Sequence, residues 1–163
     1  EQKYIYSFSQ IEDKVKALHE TNTEAAAAVA LSWLGLSRDE LKTLRVSDYN
    51  STMRMLHSAG RVVYVREDLI ADMLKAICEE APEYSMGFFI TDVNSAYEAA
   101  EKQELSPISV LKMRYFYEKH SAKLSGEPED RVFLKEILRS VGESEADMEK
   151  QFAEYEKDAP EKI

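Results

Sequence analysis

The chain has 163 residues and a formal net charge of −10, because 31 acidic residues outnumber 21 basic ones. Hydrophobic residues make up 44% of the sequence, which is enough to bury the core of one domain. No stretch approaches the roughly 18 uninterrupted apolar residues of a membrane span, so no membrane partner is expected. The single cysteine, Cys78, excludes an internal disulfide and predicts a cytoplasmic location.

Three helix starts are predicted near the N-terminus by capping boxes, in which a Ser or Thr and a later Glu satisfy each other's backbone groups. These boxes lie at residues 9–12, 21–24 and 37–40. The second helix is rich in alanine and is predicted to end at Gly35, because glycine tolerates the left-handed backbone of a helix C-terminus. A polar turn is predicted over residues 48–51.

Residues 53–65 predict a β-hairpin, since two short β-forming runs flank a turn at residues 58–60. A helix follows from about 67 to 80, and Pro82 is expected to stop it. The later predicted elements are an extended segment at 87–90 and helices at 91–103, 106–125, 132–141 and 144–157. The predicted fold class is therefore mainly α with a small antiparallel β-hairpin (α+β).

The stretch at residues 29–48 resembles the first catalytic block of tyrosine recombinases (phage integrases). In that block, Gly-Leu-Arg-x-x-Glu-Leu supplies an arginine to the scissile phosphate. The block's glycine, leucines and glutamate are present here, but Ser37 stands at its arginine position. Residues 105–112 resemble the family's Ser-Pro-His-x-Leu-Arg box, and residues 134–138 resemble the helix before its Leu-Gly-His turn.

The resemblance covers about residues 5–157 and implies a tyrosine recombinase catalytic-domain-like fold. We expect a single integrase-like domain over residues 1–163, with its core at 5–142 and an acidic C-terminal helix at about 144–157. Because the sequence does not begin with Met, we expect it to be part of a longer protein.

The resemblance also identifies the positions at which the family keeps its catalytic groups. The family uses two arginines on the phosphate, a hairpin lysine and two histidines for proton transfer, and a tyrosine nucleophile. The matching positions here are Ser37, Ser109, Lys112 and Phe152. A serine carries no charge, a lysine lacks the planar guanidinium fork, and a phenylalanine has no hydroxyl. The hairpin contains no lysine, so strand cleavage is not expected.

Three neighbouring residues are candidate substitutes for the missing groups. Arg38 follows the first position, Arg114 matches the second arginine if the register shifts, and Tyr155 lies one helical turn beyond Phe152. A solvated Arg38 and a packed Tyr155 are the simpler interpretations of the same residues.

The DNA-binding candidates are the basic residues of the first block, the hairpin and the basic segment 112–123: Arg38, Arg61, Lys112, Arg114, Lys119 and Lys123. The basic segment equally fits the solvated face of an amphipathic helix. An acidic protein is at a disadvantage on duplex DNA, whose phosphates must be neutralised by Lys or Arg. More than half of the net negative charge lies in residues 127–163.

Two functions fit this sequence. The first is an integrase-like domain of a phage or mobile element, associated with DNA recombination or integration, which binds duplex DNA weakly and lacks strand cleavage. The alternative is a non-catalytic module for protein–protein assembly or regulation, with the C-terminal helix contacting a second copy or a recombinase partner. Neither a cofactor nor a metal site is expected, because the three histidines are far apart and no cysteine cluster exists.

Overall fold

The computed structural model describes residues 4–80 and 87–159, and within them the chain is mainly helical. The helices are α1 (Glu12–Thr21), α2 (Thr23–Trp33), α3 (Arg38–Thr43), α4 (Asp68–Glu80), α5 (Val93–Lys102), α6 (Pro107–Ser125), α7 (Arg131–Val141) and α8 (Glu145–Asp158). The strands are β1 (Tyr49–Asn50), β2 (Met55–Ser58) and β3 (Arg61–Tyr64). The predicted combination of helices and a small antiparallel sheet is confirmed.

The predicted caps are correct at α3 but shifted at α1 and α2. Ser37 and Glu40 form the predicted capping box. The first box lies two residues earlier than predicted, with the Gln10 carboxamide accepting from the Ser7 backbone N at 3.2 Å, and it caps the short 3₁₀ helix Phe8–Gln10 rather than α1, whose N-cap residue is Ile11. At α2, Asn22 is the capping residue and accepts from the Ala25 backbone N at 3.0 Å. Residues 7–9 and 21–23 each carry more than one Ser, Thr or Asn that suits a cap, so pattern alone does not select the frame at these two positions.

Helix α2 lies at the centre of the larger hydrophobic cluster. All of its residues from Ala25 to Trp33 are buried. Its alanines let α1, α5 and α6 pack against its different faces, and a helix that is apolar all round is expected to be buried. The helix ends before Gly35, whose φ of +94° confirms the predicted left-handed position. A Cβ at Gly35 would lie 2.5 Å from Cε1 of Phe133, so α7 packs directly on this turn.

The sheet has the order β1-β2-β3 and is antiparallel throughout. The hairpin of β2 and β3 confirms the prediction for residues 53–65. Strand β1 lies where a polar turn was predicted, and Tyr49 pairs with Leu56. The predicted extended segment at 87–90 contributes an isolated bridge between Phe88 and Arg45. The predicted stop at Pro82 lies outside the described residues.

A second, smaller hydrophobic cluster joins α6, α7 and α8. Its buried members include Phe116 of α6, Ile137 of α7, and Phe152 and Tyr155 of α8. Met113 packs against both clusters and so connects them. No helix in the described part of the chain is long and apolar enough to cross a membrane.

Candidate phosphate-binding site

The first block is organised around the carboxylate of Glu40. Its Oε1 accepts from the Ser37 backbone N at 3.0 Å, and Ser37 Oγ accepts from the Glu40 backbone N at 3.1 Å. The same carboxylate accepts from Ser58 Oγ at 2.7 Å and from Arg61 at 2.8 Å. Burial alone would raise the pKa of Glu40, but the hydrogen bonds from Arg61, Ser58 and Ser37 outweigh it and lower the pKa. Ser37 and Glu40 are therefore fully used in holding α3 to the hairpin.

Two arginines bind the C-terminal end of α2. Arg61 donates from Nη2 to the Gly35 carbonyl at 2.9 Å, and Arg114 donates from Nη1 to the Trp33 carbonyl at 2.6 Å. The last carbonyls of a helix lack partners within the helix and carry its negative dipole end. Both guanidiniums therefore make structural hydrogen bonds, and a phosphate would have to compete with these carbonyls for the same donors.

Arg114 is enclosed by further partners. Its guanidinium forms an ion pair with Glu118 at 2.7 Å, one helical turn along α6. It also lies over the rings of Trp33, at 5.3 Å, and Phe133, at 5.2 Å. Only 14% of the side chain is exposed. Arg114 is the residue that a shifted register would match to the family's second arginine, and its guanidinium is already bonded to other groups of the protein.

Arg38 points to a different part of the molecule. Its guanidinium donates to the side-chain oxygen of Asn94 and lies 4.8 Å from the centre of the Tyr97 ring, both on α5. It is exposed but has a fixed partner. None of the contacts described joins Arg38 to Arg114 or Tyr155, so the three candidate substitutes do not surround one pocket.

The basic residues of α6 are neutralised by acidic residues from the end of the chain. Lys112 donates to Gln151 at 3.0 Å and forms an ion pair with Glu143. Gln151 also donates to Glu143 at 2.7 Å. The turn before α8 and α8 itself therefore close over the position that matches the family's second arginine.

The same pattern continues along α6. Lys119 lies between Glu149, at 2.8 Å, and Glu129, at 3.4 Å, and only 12% of its side chain is exposed. Burial would lower the pKa of Lys119, but the contacts with Glu149 and Glu129 outweigh it and raise the pKa. Lys123 pairs with Glu156 at 2.7 Å. The row of lysines faces α8 and the 127–130 loop.

Phe152, the position that the resemblance matches to the family's tyrosine, lies in the smaller cluster. Phe152 and Tyr155 are both buried, and their rings stack with centres 6.1 Å apart. The Tyr155 hydroxyl donates to the Ile5 carbonyl at 3.2 Å. Burial, together with nearby Tyr6 and Tyr117, raises the pKa of Tyr155. A buried hydroxyl that is used in this way is not presented to a substrate.

Of the four positions that match the family's catalytic residues, contacts between helices in the described residues bring only Lys112 and Phe152 close to each other. Lys112 contacts Gln151, the neighbour of Phe152, so α6 and α8 bring two of the four positions close to each other. Ser109 lies exposed in the first turn of α6, where its backbone N–H donates to Ser106 Oγ at 3.4 Å. Within the described residues, no contact joins Ser37 or Ser109 to the other two.

Sequence reasoning missed the acidic partners and one arginine. Glu143 adds to the negative charge of the C-terminal part, but its place after Gly142 gives no signal of a contact with Lys112 across the fold. Arg66, just after β3, is exposed and lines a cleft that Arg61 and Arg114 also border. The only sequence signal for Arg66 is that it is a basic residue directly after the predicted hairpin. No group of acidic, histidine or cysteine side chains suited to a metal ion occurs in the described residues.

No protein-family model, curated protein or solved structure matches this chain.

Proposed function

We propose that this chain is a non-catalytic protein-interaction domain built on a tyrosine recombinase-like fold. The observation that carries this proposal is that every residue named as a DNA-binding candidate is already engaged by another group of the protein. Glu40, Glu118, Glu143, Glu149 and Glu156 supply five of the partners. The order of helices and hairpin, and the contact of Lys112 with α8, support the recombinase-like part of the proposal.

The chemistry argues against strand cleavage. A pentacoordinate phosphorus carries additional negative charge, which cationic donors must stabilise. Ser37 supplies no charge, and its hydroxyl is part of the α3 cap. A tyrosine nucleophile must present its hydroxyl to the phosphorus, whereas Tyr155 points its hydroxyl at Ile5 inside the protein.

The energetics argue against transient opening of the lysine row. Displacing α8 would expose Met148, Phe152 and Tyr155, all of which are buried. Each such side chain contributes about 1.5–3 kcal/mol by burial, so separation of α8 costs about 5 kcal/mol or more. Helix α8 therefore keeps its carboxylates beside the lysines of α6.

Weak duplex binding, the other function considered, has one observation in its favour. Arg61, Arg66 and Arg114 border the same cleft between β3 and α6. Arg61 and Arg114 are paired, however, and a single further arginine contributes little, because duplex affinity grows with each phosphate that is neutralised.

A covalent-trapping assay tests the catalytic part. A duplex with a nick near the scissile position traps any phosphotyrosine adduct, which is then detected by denaturing electrophoresis. We expect no adduct from the wild-type chain. An adduct that disappears in Tyr155→Phe would contradict the proposal.

A gel-shift titration with nonspecific duplex tests the DNA-binding part. We expect no retardation at low salt. The double variant Lys112→Glu/Arg114→Glu reverses the candidate surface, and Lys14→Glu/Lys16→Glu on exposed positions of α1 is the control with the same change in net charge. Retardation of the wild type that is lost only in the first variant would establish the DNA-binding alternative.

A further inference from the structure

Strand β3 forms an edge of the sheet and presents apolar side chains to solvent. The order β1-β2-β3 leaves β3 without a neighbour on its outer side in the described residues. Val62 is 42% exposed and Tyr64 57% exposed, and the two alternate with the inward residues Arg61 and Val63. Exposed edge strands with apolar side chains are the places where another extended chain can pair.

The register shows which backbone groups face outward. Ala59 and Gly60 both have positive φ, of 49° and 77°, which is the conformation of a two-residue type I′ turn. Ser58 and Arg61, next to the turn, therefore form a hydrogen-bonded pair. Hydrogen-bonded pairs then recur at every second pair of residues along the two strands. Val65 N donates to the Arg54 carbonyl at 2.9 Å, which fits this alternation.

The backbone N–H and C=O groups of the intervening residues, Val62 and Tyr64, therefore point away from β2. No backbone hydrogen bond from these two residues to another element occurs among the described residues. The edge offers two donors and two acceptors in the spacing of a strand.

All four residues of β3 line a cleft of about 140 Å³, together with Phe133 of α7. Arg61 and Arg114 line this cleft but are held by Glu40 and Glu118. Its remaining carboxylate, Asp130, accepts from the Phe133 backbone N at 3.1 Å.

Arg66 also lines the cleft, two residues beyond Tyr64, and has no partner among the described residues. Its exposed guanidinium forms no ion pair among the described residues, and it lies just past the end of the edge strand in a cleft that Glu118 and Asp130 also line.

We propose that the β3 edge binds an extended segment of a partner protein that has apolar side chains at alternate positions and a carboxylate near Arg66. This inference rests on the proposed function and names its partner class. Main-chain pairing would supply affinity, while the Val62 and Tyr64 side chains and the Arg66 charge would supply selectivity. A second copy of β3 fits less well, because residues 61–66 carry two arginines and no carboxylate to meet Arg66.

The direct test uses fluorescently labelled heptapeptides with alternating valines. The probes are Asp-Val-Thr-Val-Thr-Val-Asp, the same peptide with lysine at both ends, and the acidic peptide N-methylated at alternate amides. We expect the acidic peptide to bind, with the lysine-ended peptide about tenfold weaker because the charge-assisted contact is lost. N-methylation should abolish binding, because it removes the donors that pair with β3.

Protein variants locate the site. Arg66→Glu should reverse the preference between the acidic and lysine-ended peptides. Val62→Pro should weaken binding about tenfold, since it removes an outward N–H, while thermal unfolding stays close to that of the wild type because that N–H is outside the β2–β3 ladder. Met53→Lys, at another exposed apolar residue outside the edge strand, is the control that should leave binding unchanged.

Three results would overturn the inference. They are no binding of the acidic peptide, equal binding of its N-methylated form, and a concentration-dependent dimer that Tyr64→Lys abolishes. If peptide binding fails while no DNA adduct and no gel shift are seen, the proposed function stands and this edge is not its interface. Duplex binding lost in Lys112→Glu/Arg114→Glu would instead contradict the proposed function itself.

Discussion

The two hydrophobic clusters hold their charged residues in different ways. In the larger cluster, around α2, Arg61 is held by a helix-end carbonyl and by Glu40, and both side chains of the pair are largely buried. In the smaller cluster, around α8, the carboxylates that pair with Lys119 and Lys123 are more exposed than Glu40, at 50% and 27% against 11%. The first arrangement fixes a turn between secondary-structure elements, whereas the second fastens a helix that is already anchored by aromatic side chains.

This difference explains why no candidate cation is available to a ligand in either region. A partly buried guanidinium must keep its partners, because leaving it unpaired is costly. A lysine whose carboxylate partner is exposed costs less to unpair, but α8 stays in place through Phe152 and Tyr155. The comparison predicts large effects from the aromatic anchor and from Glu40, and small effects from the lysine pairs.

Removal of the α8 anchor should have the largest effect. Tyr155→Ala is expected to lower the free energy of unfolding by about 3–5 kcal/mol, the range for large aromatic side chains in a core. Tyr155→Phe keeps the ring and loses only the hydrogen bond to Ile5, so about 1 kcal/mol is expected. Urea unfolding measures both variants. A loss below about 1 kcal/mol for Tyr155→Ala would mean that α8 is not an anchored part of the fold.

Truncation of Glu40 should rank second. Glu40→Ala leaves Arg61 without its carboxylate and breaks the α3 capping box, so a loss of about 2–3 kcal/mol is expected. Chemical denaturation provides the measurement, and Asp39→Ala, at the exposed neighbouring acidic position, is the control. Equal stability of the two variants would contradict a special role for the Arg61–Glu40 pair.

The pH dependence of stability should separate the two regions. The pKa of Glu40 is lowered in the folded state, so its contribution is present above its ordinary pKa of 4.5 and is lost as pH falls through the folded value. The pKa of Lys119 is raised, so its contribution is present below its ordinary pKa of 10.5 and is lost as pH rises through the folded value.

Unfolding at a series of pH values, with Glu40→Gln and Lys119→Gln beside the wild type, checks this assignment. The difference between the wild type and Glu40→Gln should shrink only at acidic pH. The difference between the wild type and Lys119→Gln should shrink at strongly alkaline pH. If the Glu40→Gln difference is constant from pH 7 to below pH 4, the assignment of the acid-sensitive step is wrong.

The lysine pairs should contribute least. A double-mutant cycle with Lys119→Gln and Glu149→Gln is expected to give a coupling of at most about 1 kcal/mol, because half of the Glu149 side chain is exposed. High salt should reduce it further. A coupling as large as the Glu40 effect would remove the distinction between the two regions.

The sequence predicts local structure well and long-range pairing poorly. Ser37, Gly35 and the Ser106–Pro107 start of α6 follow from cap chemistry within a few residues, and all three are found. The shift from Ser9 to Ser7 arises because two overlapping stretches fit the same pattern.

The candidate site shows the same limit. The basic residues could be named from the sequence, but the C-terminal carboxylates that pair with Lys112, Lys119 and Lys123 lie 30 or more residues away, as in the pair Lys119–Glu149. Charge runs at both ends of such a pair look like ordinary solvated surface until the fold brings them together. Strand β1 was missed for a related reason, because two residues leave no alternation to detect.

Native-state hydrogen exchange tests most directly whether α8 is a fixed part of the core. We expect the amides of Phe152 and Tyr155 to exchange only through global unfolding, with the same opening free energy as the amide of Leu31 in α2. Exchange of the α8 amides through a local opening, several kcal/mol below the global value, would contradict this expectation. Such an opening would expose the lysines of α6 and would favour duplex binding as the function.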